Sequence, residues 1–312
     1  MLPNGGTMTK NNNKKYLKHL SEKLTGQEYG SLIFKATELN EDRIMIGIPM
    51  TGLLRSEWVL ARYGQCIPCN WSNQEVYDWM QQNTPIGWDV ANARNIITHA
   101  FVNSKCQWLL FVDHDVCLPR DAFVKINIYM MEKKYPVVTG LYFAKCHPPE
   151  PLLYRGRGNG HVRDFKIGEK IWVDGIPMGL TLIHGSILRA MWNDAEWYNA
   201  KGQTVKKVFD TPSGVIYDPQ TGASRTYAGT EDLAWCNRVI AGKYLEKAGW
   251  PEFQKKRYPF LADTSIFGEH VTNDGQLFPF PWSWPVDQTV KDLVLPGTWM
   301  AALQQAKMKA AG

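Results

Sequence analysis

An alternation of short apolar runs with segments of helical period constrains the fold most strongly. The apolar runs occupy residues 43–50, 108–112 and 137–143. Between the first two, Val90–Phe101 places its apolar side chains on one helical face, and Asp89 precedes it as a predicted N-cap. Strands that alternate with helices in this way predict an α/β fold whose mainly parallel sheet is flanked by helices.

The second half of the chain has a different pattern. Residues 152–175 predict a hairpin with a glycine-rich turn, and residues 176–184 predict a strand. Residues 211–230 are rich in Gly, Pro, Ser and Thr, which predicts a mobile loop. A further short strand is predicted near Cys66–Trp71. A β/loop region is therefore expected beside the α/β core.

The positive charge of the chain lies in its terminal segments. The formal net charge is +5, from 35 basic and 30 acidic residues. Residues 1–23 hold five Lys and one Glu (+4), and the last twelve residues hold two Lys (+2). The rest keeps 28 basic and 29 acidic residues, a net charge of −1. Binding to a polyanion would therefore be local, since net charge governs non-specific binding to nucleic acid.

Three segments follow from this composition. We predict a polar, basic N-terminal lead over 1–40, one domain over 41–275, and a C-terminal segment over 276–312 that is irregular and then helical.

No apolar run reaches the roughly 18–20 residues that a membrane span needs. The six Cys are scattered and do not resemble a disulfide framework, so a cytoplasmic protein is expected.

The most informative motif is an acidic pair at the end of a buried strand. Trp108–Val112 runs directly into Asp113, His114 and Asp115. Ligands of open α/β sheets bind beyond the carboxyl ends of the strands, and the two Asp would face the same side if the chain stayed extended. Paired carboxylates repel unless a cation lies between them, and such oxygen ligands suit Mg²⁺ or Mn²⁺. A strand that simply ends in solvated polar residues is the alternative.

Three motifs in order carry a family resemblance: Ile46–Pro49, Val90–Asn95 and Leu110–Asp115. They resemble the family 2-like GT-A glycosyltransferases, of a type seen in viruses and phages. Further matching segments, which extend the resemblance over roughly residues 43–271, are 175–179, 184–186, 230–235 and 263–270. The resemblance implies a GT-A, Rossmann-like fold with a mixed, mainly parallel sheet and an acceptor-side β/loop region. His114 departs from the Ser or Ala that is more usual between the two Asp.

The resemblance also implies a nucleoside-diphosphate sugar as donor, with a UDP-sugar expected, and Mn²⁺ or Mg²⁺ as cofactor. Asp115 is expected to contact the metal directly, and Asp113 to bind the ribose or reach the ion through water. His270 is the third expected ligand. The residues expected to bind the nucleotide are Pro49, Thr51, Arg94 and Asn95. For Arg94, an alternative is that it snorkels to the surface or pairs with a core carboxylate.

The segment Thr230–Trp235 resembles the family motif that supplies a general base. Asp232 is the preferred base and Glu231 the alternate, because an acceptor hydroxyl must lose its proton as it attacks the anomeric carbon. Acidic residues at a helix start also stabilise the helix dipole, which is a purely structural alternative. The resemblance implies that the transfer inverts the anomeric centre.

Residues 155–170 hold five Lys or Arg against two acidic residues, with Phe165 among them. Basic loops with aromatic side chains suit a phosphate backbone and a stacked base. The residues expected to bind the acceptor are Arg155, Arg157, Arg163 and Trp282. The similarity to glycosyltransferase-like proteins of viruses and phages makes 5-hydroxymethylcytosine in phage DNA the preferred acceptor. The base would be flipped out of the duplex, and the protein would act in the host cytoplasm.

Other functions are open at this stage. The acceptor could instead be a saccharide, a lipid-linked glycan or a protein. A non-catalytic nucleotide- or nucleic-acid-binding protein on a GT-A scaffold belongs to another class, as does a nuclease or phosphotransferase with an acidic metal site. The presence of metal, base and His candidates together favours the transferase.

Overall fold

The computed structural model describes residues 42–156, 160–217, 220, 224–279 and 289–290. The helices are α1 (Ser56–Tyr63), α2 (Asn73–Met80), α3 (Val90–Val102), α4 (Ala122–Glu132), α5 (Gly185–Asp194), α6 (Glu231–Ala241), α7 (Tyr244–Lys247) and α8 (Pro251–Gln254). The strands are β1 (Ile44–Gly47), β2 (Trp108–Val112), β3 (Val116–Cys117), β4 (Val137–Leu141), β5 (Tyr154–Arg155), β6 (Gly160–His161), β7 (Lys170–Val173), β8 (Leu180–His184), β9 (Trp197–Ala200), β10 (Gln203–Lys206), β11 (Ser213–Tyr217), β12 (Ser224–Ala228), β13 (Phe260–Phe267), β14 (Glu269–Val271) and β15 (Leu277–Phe278).

A six-stranded sheet with the order β1-β2-β8-β4-β13-β7 forms the centre of the fold. Strands β1 and β2 pair in parallel, as do β4 and β13. Strand β8 lies antiparallel between β2 and β4, and β7 closes the sheet antiparallel to β13. Four strands therefore share one direction, and their carboxyl ends meet at one edge of the sheet, called the site edge below.

Both faces of this sheet are covered. Along β2, Leu109 and Phe111 pack into one core with side chains of α3, α5 and α6. Trp108, Leu110 and Val112 pack into the other core with side chains of α1, α2 and α4. The continuous apolar run of β2 is thus explained by burial on both sides, as in sheets covered by helices. The predicted fold class, a mixed and mainly parallel α/β sheet flanked by helices, is confirmed.

Local sequence signals explain where two of the helices begin. The side chain of Asp89 accepts a hydrogen bond from the backbone N–H of Asn92, which confirms it as the N-cap of α3. At α2, Ser72 and Glu75 form a reciprocal capping box, each side chain accepting from the backbone N–H of the other. Both caps satisfy N–H groups that the helix itself leaves without partners.

Four segments differ from their predicted structure. No strand forms at 66–71, where the chain turns before α2. Segment 211–230, predicted to be a loop, contains the antiparallel pair β11–β12. The hairpin β9–β10 was not predicted; its turn uses Lys201 and Gly202, which both adopt positive φ. The predicted hairpin over 152–175 is shorter than expected, since β5 pairs with β6 while β7 joins the central sheet.

The predicted segment boundaries fall largely outside the described residues. Residues 1–40 and nearly all of 280–312 are not described, so the lead and the C-terminal helix stay predictions. Strand β15 pairs with β14, which attaches residues 277–278 to the domain. Within the described residues, no helix is both long enough and apolar enough to cross a bilayer.

Candidate functional site

Polar side chains gather where the parallel strands end at the site edge. Asp113 and Asp115 follow β2, and Lys145 lies just beyond β4. His270 lies in β14, which follows β13 and pairs with β3, so that His270 is opposite Val116. Because the backbone N–H of Gly268 donates to Leu141 O at 2.8 Å, the ends of β13 and β4 are held side by side. The sequence-distant candidates therefore converge at this edge.

The backbone that joins the two carboxylates of the acidic pair is not extended. The chain turns after β2, with the N–H of Val116 donating to Asp113 O at 3.1 Å. The indole of Trp58 donates to the same carbonyl at 2.9 Å, and the Asp113 N–H donates to Gly179 O at 3.0 Å. The chain is therefore not extended between Asp113 and Asp115, so the condition under which the two side chains were expected to face the same side is not met.

Arg94 joins Asp113 to the start of α6 through a buried ion-pair network. Its Nη2 lies 3.0 Å and 3.3 Å from the two carboxylate oxygens of Asp113, and its Nε lies 3.1 Å from Oε1 of Glu231. The Arg94 side chain is 2% exposed. Burial alone would lower the pKa of Arg94, but the two carboxylates raise it above its usual value. Of the alternatives left open by the sequence, pairing with buried carboxylates describes Arg94 in this structure.

The atom Nη1 of Arg94 is buried and has no hydrogen-bond partner within the described residues. Buried donors are normally paired with protein or water, so this N–H group is available to an oxygen that enters the site.

Asn95, the neighbouring residue, forms its hydrogen bonds with the backbone of residues 208 and 209. Its Oδ1 accepts from the backbone N–H groups of Val208 and Phe209, and its Nδ2 donates to Phe209 O, each within 2.9 Å. Asn95 thereby anchors this segment to α3.

The end of β1 comes beside the acidic pair. Thr51 Oγ1 lies 3.1 Å from Nε2 of His114, and Thr51 is exposed whereas Pro49 is buried. Thr51 is thus placed to contact a ligand at the site edge, whereas Pro49 is enclosed by the protein.

Asp115 has two cationic or basic neighbours. Lys145 Nζ lies 2.5 Å from Oδ2, and His270 Nε2 lies 3.6 Å from Oδ1. His270 Nδ1 lies 2.7 Å from Phe143 O, so Nδ1 carries the proton and Nε2 faces Asp115. Burial opposes ionisation of Asp115, but His270 in its protonated form and the Lys145 ammonium hold the pKa of Asp115 well below its usual range. Asp115 is therefore a carboxylate at neutral pH.

The predicted metal ligands fit a divalent ion only in part. Asp115 offers carboxylate oxygens, and His270 Nε2 can offer a lone pair whose direction is set by the bond from Nδ1–H to a carbonyl. Both oxygens of Asp113 are engaged by Arg94. Within the described residues, no group of three or more His, Cys, Asp or Glu side chains is close enough to hold a metal ion. The pair Asp115 and His270 suits an ion that keeps further positions for water and phosphate oxygens.

Asp232 is the acidic group best suited to accept a proton. Burial, and then the negative charge of Glu231, raise the pKa of Asp232 to about 6. Glu231, by contrast, is bound to Arg94. One oxygen of Asp232 accepts from the backbone N–H of Leu233 at 2.7 Å, which fixes the carboxyl group at the start of α6.

Tyr142 links the two halves of the site, although it was not predicted. Its ring centroid lies 4.9 Å from that of His270, and its hydroxyl accepts from the N–H of Gly179 at 2.9 Å. Burial and the charges of Asp113 and Asp232 raise the pKa of Tyr142 well above its usual value. Tyr142 and Lys145 follow a strand end just as Asp113 and Asp115 do, so the strand-end rule applied to β4 would have found both.

The predicted acceptor residues are only partly where the sequence suggested. Arg155 Nε donates to Trp172 O at 3.0 Å, and its guanidinium lies 4.9 Å from the ring centre of Tyr258. Arg163 forms two bonds to Glu150, of 2.7 Å and 2.5 Å, so its charge is balanced within the chain. Phe165 is 2% exposed and belongs to the core; it does not stack on a ligand as its basic surroundings had suggested.

Arg157 and Trp282 lie outside the described residues, so their predicted contacts with an acceptor stay predictions. The guanidinium of Arg257 lies 5.2 Å from the ring centre of Tyr258. The guanidinium groups of Arg155 and Arg257 therefore both lie against the ring of Tyr258. Two basic segments that are distant in sequence thus share one surface.

A polar cavity of about 290 Å³ opens beside the first turn of α3. Its lining residues are Asp89, Ala91, Asn92, Tyr198, Lys207, Phe209, Asp210 and Thr211. Segment 210–212 also borders the start of α6, because the N–H of Gly229 donates to Pro212 O at 2.7 Å. The cavity therefore lies next to the elements that carry Arg94 and Asp232.

Comparison with known proteins finds weak structural likenesses. No protein-family model matches the chain, and no curated protein matches it. Among solved structures, A197 from STIV is 17% identical over 79% of this chain and 97% of its own, with a TM-score of 0.44. TarS from S. aureus, in complex with UDP-GlcNAc, is 13% identical over 50% of this chain and 48% of its own, with a TM-score of 0.31. The function proposed below therefore rests on the side chains of the site.

Proposed function

We propose that the chain is a GT-A glycosyltransferase that moves a sugar from a nucleoside-diphosphate sugar, a UDP-sugar, to an acceptor hydroxyl. The observation that carries the proposal is the pairing of two unlike groups at one site edge. Asp115 with His270 and Lys145 forms a site for cations and phosphates, whereas Asp232 is a carboxyl group with a pKa of about 6. Leaving-group stabilisation and proton removal are the two requirements of such a transfer.

On the donor side, Asp115 and His270 would hold Mn²⁺ or Mg²⁺. When bound, such an ion supplies positive charge that stabilises the departing diphosphate. Thr51 is exposed beside His114 and would contact the nucleotide. Arg94 holds Asp113 in place and keeps one buried N–H group without a partner in the described residues, so we assign Arg94 and Asp113 to the nucleotide side of the site.

On the acceptor side, Asp232 takes the proton of the attacking hydroxyl. The acceptor oxygen forms its bond to the anomeric carbon while the bond from that carbon to the diphosphate oxygen breaks, and the electron pair leaves with the diphosphate. A pKa of about 6 keeps most Asp232 ionised at neutral pH while retaining useful basicity. A single displacement with the base opposite the leaving group inverts the anomeric centre. Glu231 serves this step by binding Arg94 and by raising the pKa of Asp232.

For the acceptor, we propose DNA that contains 5-hydroxymethylcytosine. The pair of guanidinium groups on Tyr258 supports contact with a phosphate backbone, since Arg binds phosphates and stacks on aromatic rings. A saccharide acceptor is the second candidate. It is favoured by the polar cavity beside α3, where carboxylate, amide and Tyr side chains could bind sugar hydroxyls.

The test is transfer of labelled sugar from UDP-glucose and UDP-N-acetylglucosamine in the presence of Mn²⁺. The acceptors are DNA with and without 5-hydroxymethylcytosine and a panel of oligosaccharides. We expect mass to be added to the hydroxymethylated nucleoside alone. Transfer to an oligosaccharide and not to DNA would replace the DNA acceptor by a saccharide, and no turnover of any donor would contradict the transferase itself.

The base is tested with Asp232→Asn, for which we expect turnover to fall about 10²–10⁴-fold while UDP binding is kept. Asp194→Asn is the matched control, because Asp194 is an exposed carboxylate paired with Lys247 outside the site edge. Full activity of Asp232→Asn would place the base elsewhere.

A further inference from the structure

Lys145 contacts the carboxylate to which the proposed function assigns the divalent ion. Its Nζ lies 2.5 Å from Oδ2 of Asp115, and both side chains are 30% exposed. The ammonium therefore already provides a positive charge at one of the two carboxylate oxygens. His270 Nε2 stands at the other oxygen, 3.6 Å away, which is too long for a hydrogen bond.

The ammonium and a divalent ion would repel each other strongly at this single carboxylate, because like charges a few ångströms apart disfavour each other. One of them must move when both are present. A Lys side chain is suited to move, since a compact charge sits on a flexible four-carbon stem. The partly exposed position of Lys145 gives this stem room, in contrast to the enclosed guanidinium of Arg94, which is 2% exposed.

We propose that Lys145 is an internal cation that occupies Asp115 when no donor is bound and is exchanged for the divalent ion when the donor enters. The displaced ammonium then pairs with the diphosphate of the donor, which is the nearest new source of negative charge. Lys145 thus couples binding of the ion to binding of the nucleotide. This inference rests on the proposed function and adds a role that neither the acidic pair nor its family resemblance implies.

The exchange has a thermodynamic consequence. Without nucleotide, Lys145 competes with the ion and weakens its binding. With nucleotide, the ammonium has another partner and the competition is relieved, so each ligand strengthens the other. Direct contact between the ion and the diphosphate also strengthens both, but that contribution is the same whether or not residue 145 carries a charge. The contribution of Lys145 is therefore isolated by comparing variants.

The experiment measures binding of Mn²⁺ alone by electron paramagnetic resonance of the free ion, and then in the presence of UDP. For Lys145→Met, which removes the charge and keeps the length of the side chain, we expect Mn²⁺ to bind roughly tenfold more tightly without UDP. The strengthening of Mn²⁺ binding by UDP should be smaller in this variant than in the wild type. Lys145→Gln should behave like Lys145→Met, which guards against a folding defect in one variant.

Lys247→Met is the matched control, since Lys247 forms an exposed pair with Asp194 at 2.6 Å on α7, away from Asp115. Its Mn²⁺ affinity should equal that of the wild type. Unchanged or weaker Mn²⁺ binding in both Lys145 variants would overturn the exchange and leave the transferase assignment standing. Absence of Mn²⁺ binding in the wild type and in every variant would overturn the exchange together with the metal part of the proposed function.

Discussion

Asp113 and Asp115 are separated by one residue, yet they are held in opposite ways. Asp113 accepts two bonds from a guanidinium that is 2% exposed, and that guanidinium is held in turn by Glu231. Asp115 pairs with an ammonium that is 30% exposed and faces a His ring at 3.6 Å. One turn of chain therefore carries two carboxylates, one paired with an enclosed guanidinium and the other with a partly exposed ammonium.

The difference has an energetic basis. A buried charge that loses its partner is left desolvated and unpaired, which typically costs about 3–5 kcal/mol. An exposed ion pair contributes about 0–1 kcal/mol, because water and salt replace the partner. The inner pair is thus suited to hold the site in shape, and the outer pair can be exchanged at little cost. Variants of the two cationic partners test this comparison directly.

The largest effect is expected for Arg94→Met, which leaves the buried Glu231 and the partly buried Asp113 without their cation. We expect the free energy of unfolding to fall by about 3–5 kcal/mol in urea denaturation. The control is Lys145→Met, with an expected change of less than about 1 kcal/mol. Equal losses in the two variants would remove the distinction between a fixed and an exchangeable pair.

Asp115→Asn is expected to act on catalysis and not on stability. Turnover should fall about 100-fold, because the neutral amide no longer holds a cation at the diphosphate. The free energy of unfolding should change by less than about 1 kcal/mol. The two quantities are measured on the same preparation by steady-state turnover and urea denaturation. A stable variant with wild-type turnover would contradict the assignment of Asp115 to the donor side.

Gly179→Ala probes how tightly the inner side is packed. A Cβ at residue 179 would lie 2.4 Å from Tyr142 Oη and 2.7 Å from Oδ2 of Asp113, so at least one of them must shift. We expect a loss of about 1–3 kcal/mol in the free energy of unfolding. Gly160→Ala is the control, since its Cβ would meet its nearest neighbour, Arg155 O, only at 3.8 Å. A neutral Gly179→Ala would show that the inner side tolerates displacement.

The smallest expected effect is a pH dependence of kcat/KM. Asp232 must be ionised to act as a base, and burial raises its pKa to about 6. Below that pH the ionised fraction falls about tenfold per pH unit, so kcat/KM should fall by the same factor. The pKa of Asp115 lies below its usual range, so Asp115 adds no change between pH 5 and 7. A flat profile across this interval would exclude Asp232 as the base.

Much of the fold was predictable because its signals are local. The apolar run Trp108–Val112 forms a strand with those bounds, and Asp89 caps α3 as predicted. Segment 211–230 was predicted to be a loop because it is rich in residues that favour turns. Composition does not show whether two segments pair as strands. The strands β11 and β12 form by partnering each other, which a count of Gly, Pro, Ser and Thr does not detect.

The strand ends that form the site could be predicted from the sequence, but the contacts between its side chains could not. Asp113, Asp115 and His270 were expected at one edge and lie there, whereas their partners depend on side chains from distant segments. The pairing of Arg94 with Glu231 joins residues 137 positions apart, and that of Lys145 with Asp115 joins residues 30 apart. No spacing rule links residues so far apart in sequence. The different partners of Asp113 and Asp115 could therefore be identified only from the structure.

The long separation between Arg94 and Glu231 has a consequence for biosynthesis. At about 5–20 residues per second, the 137 residues between them take about 7–27 s to be added. During that interval α3 can pack on the early strands, but its guanidinium has only Asp113 as a partner. The nascent chain therefore completes this ion network only after α6 has been made.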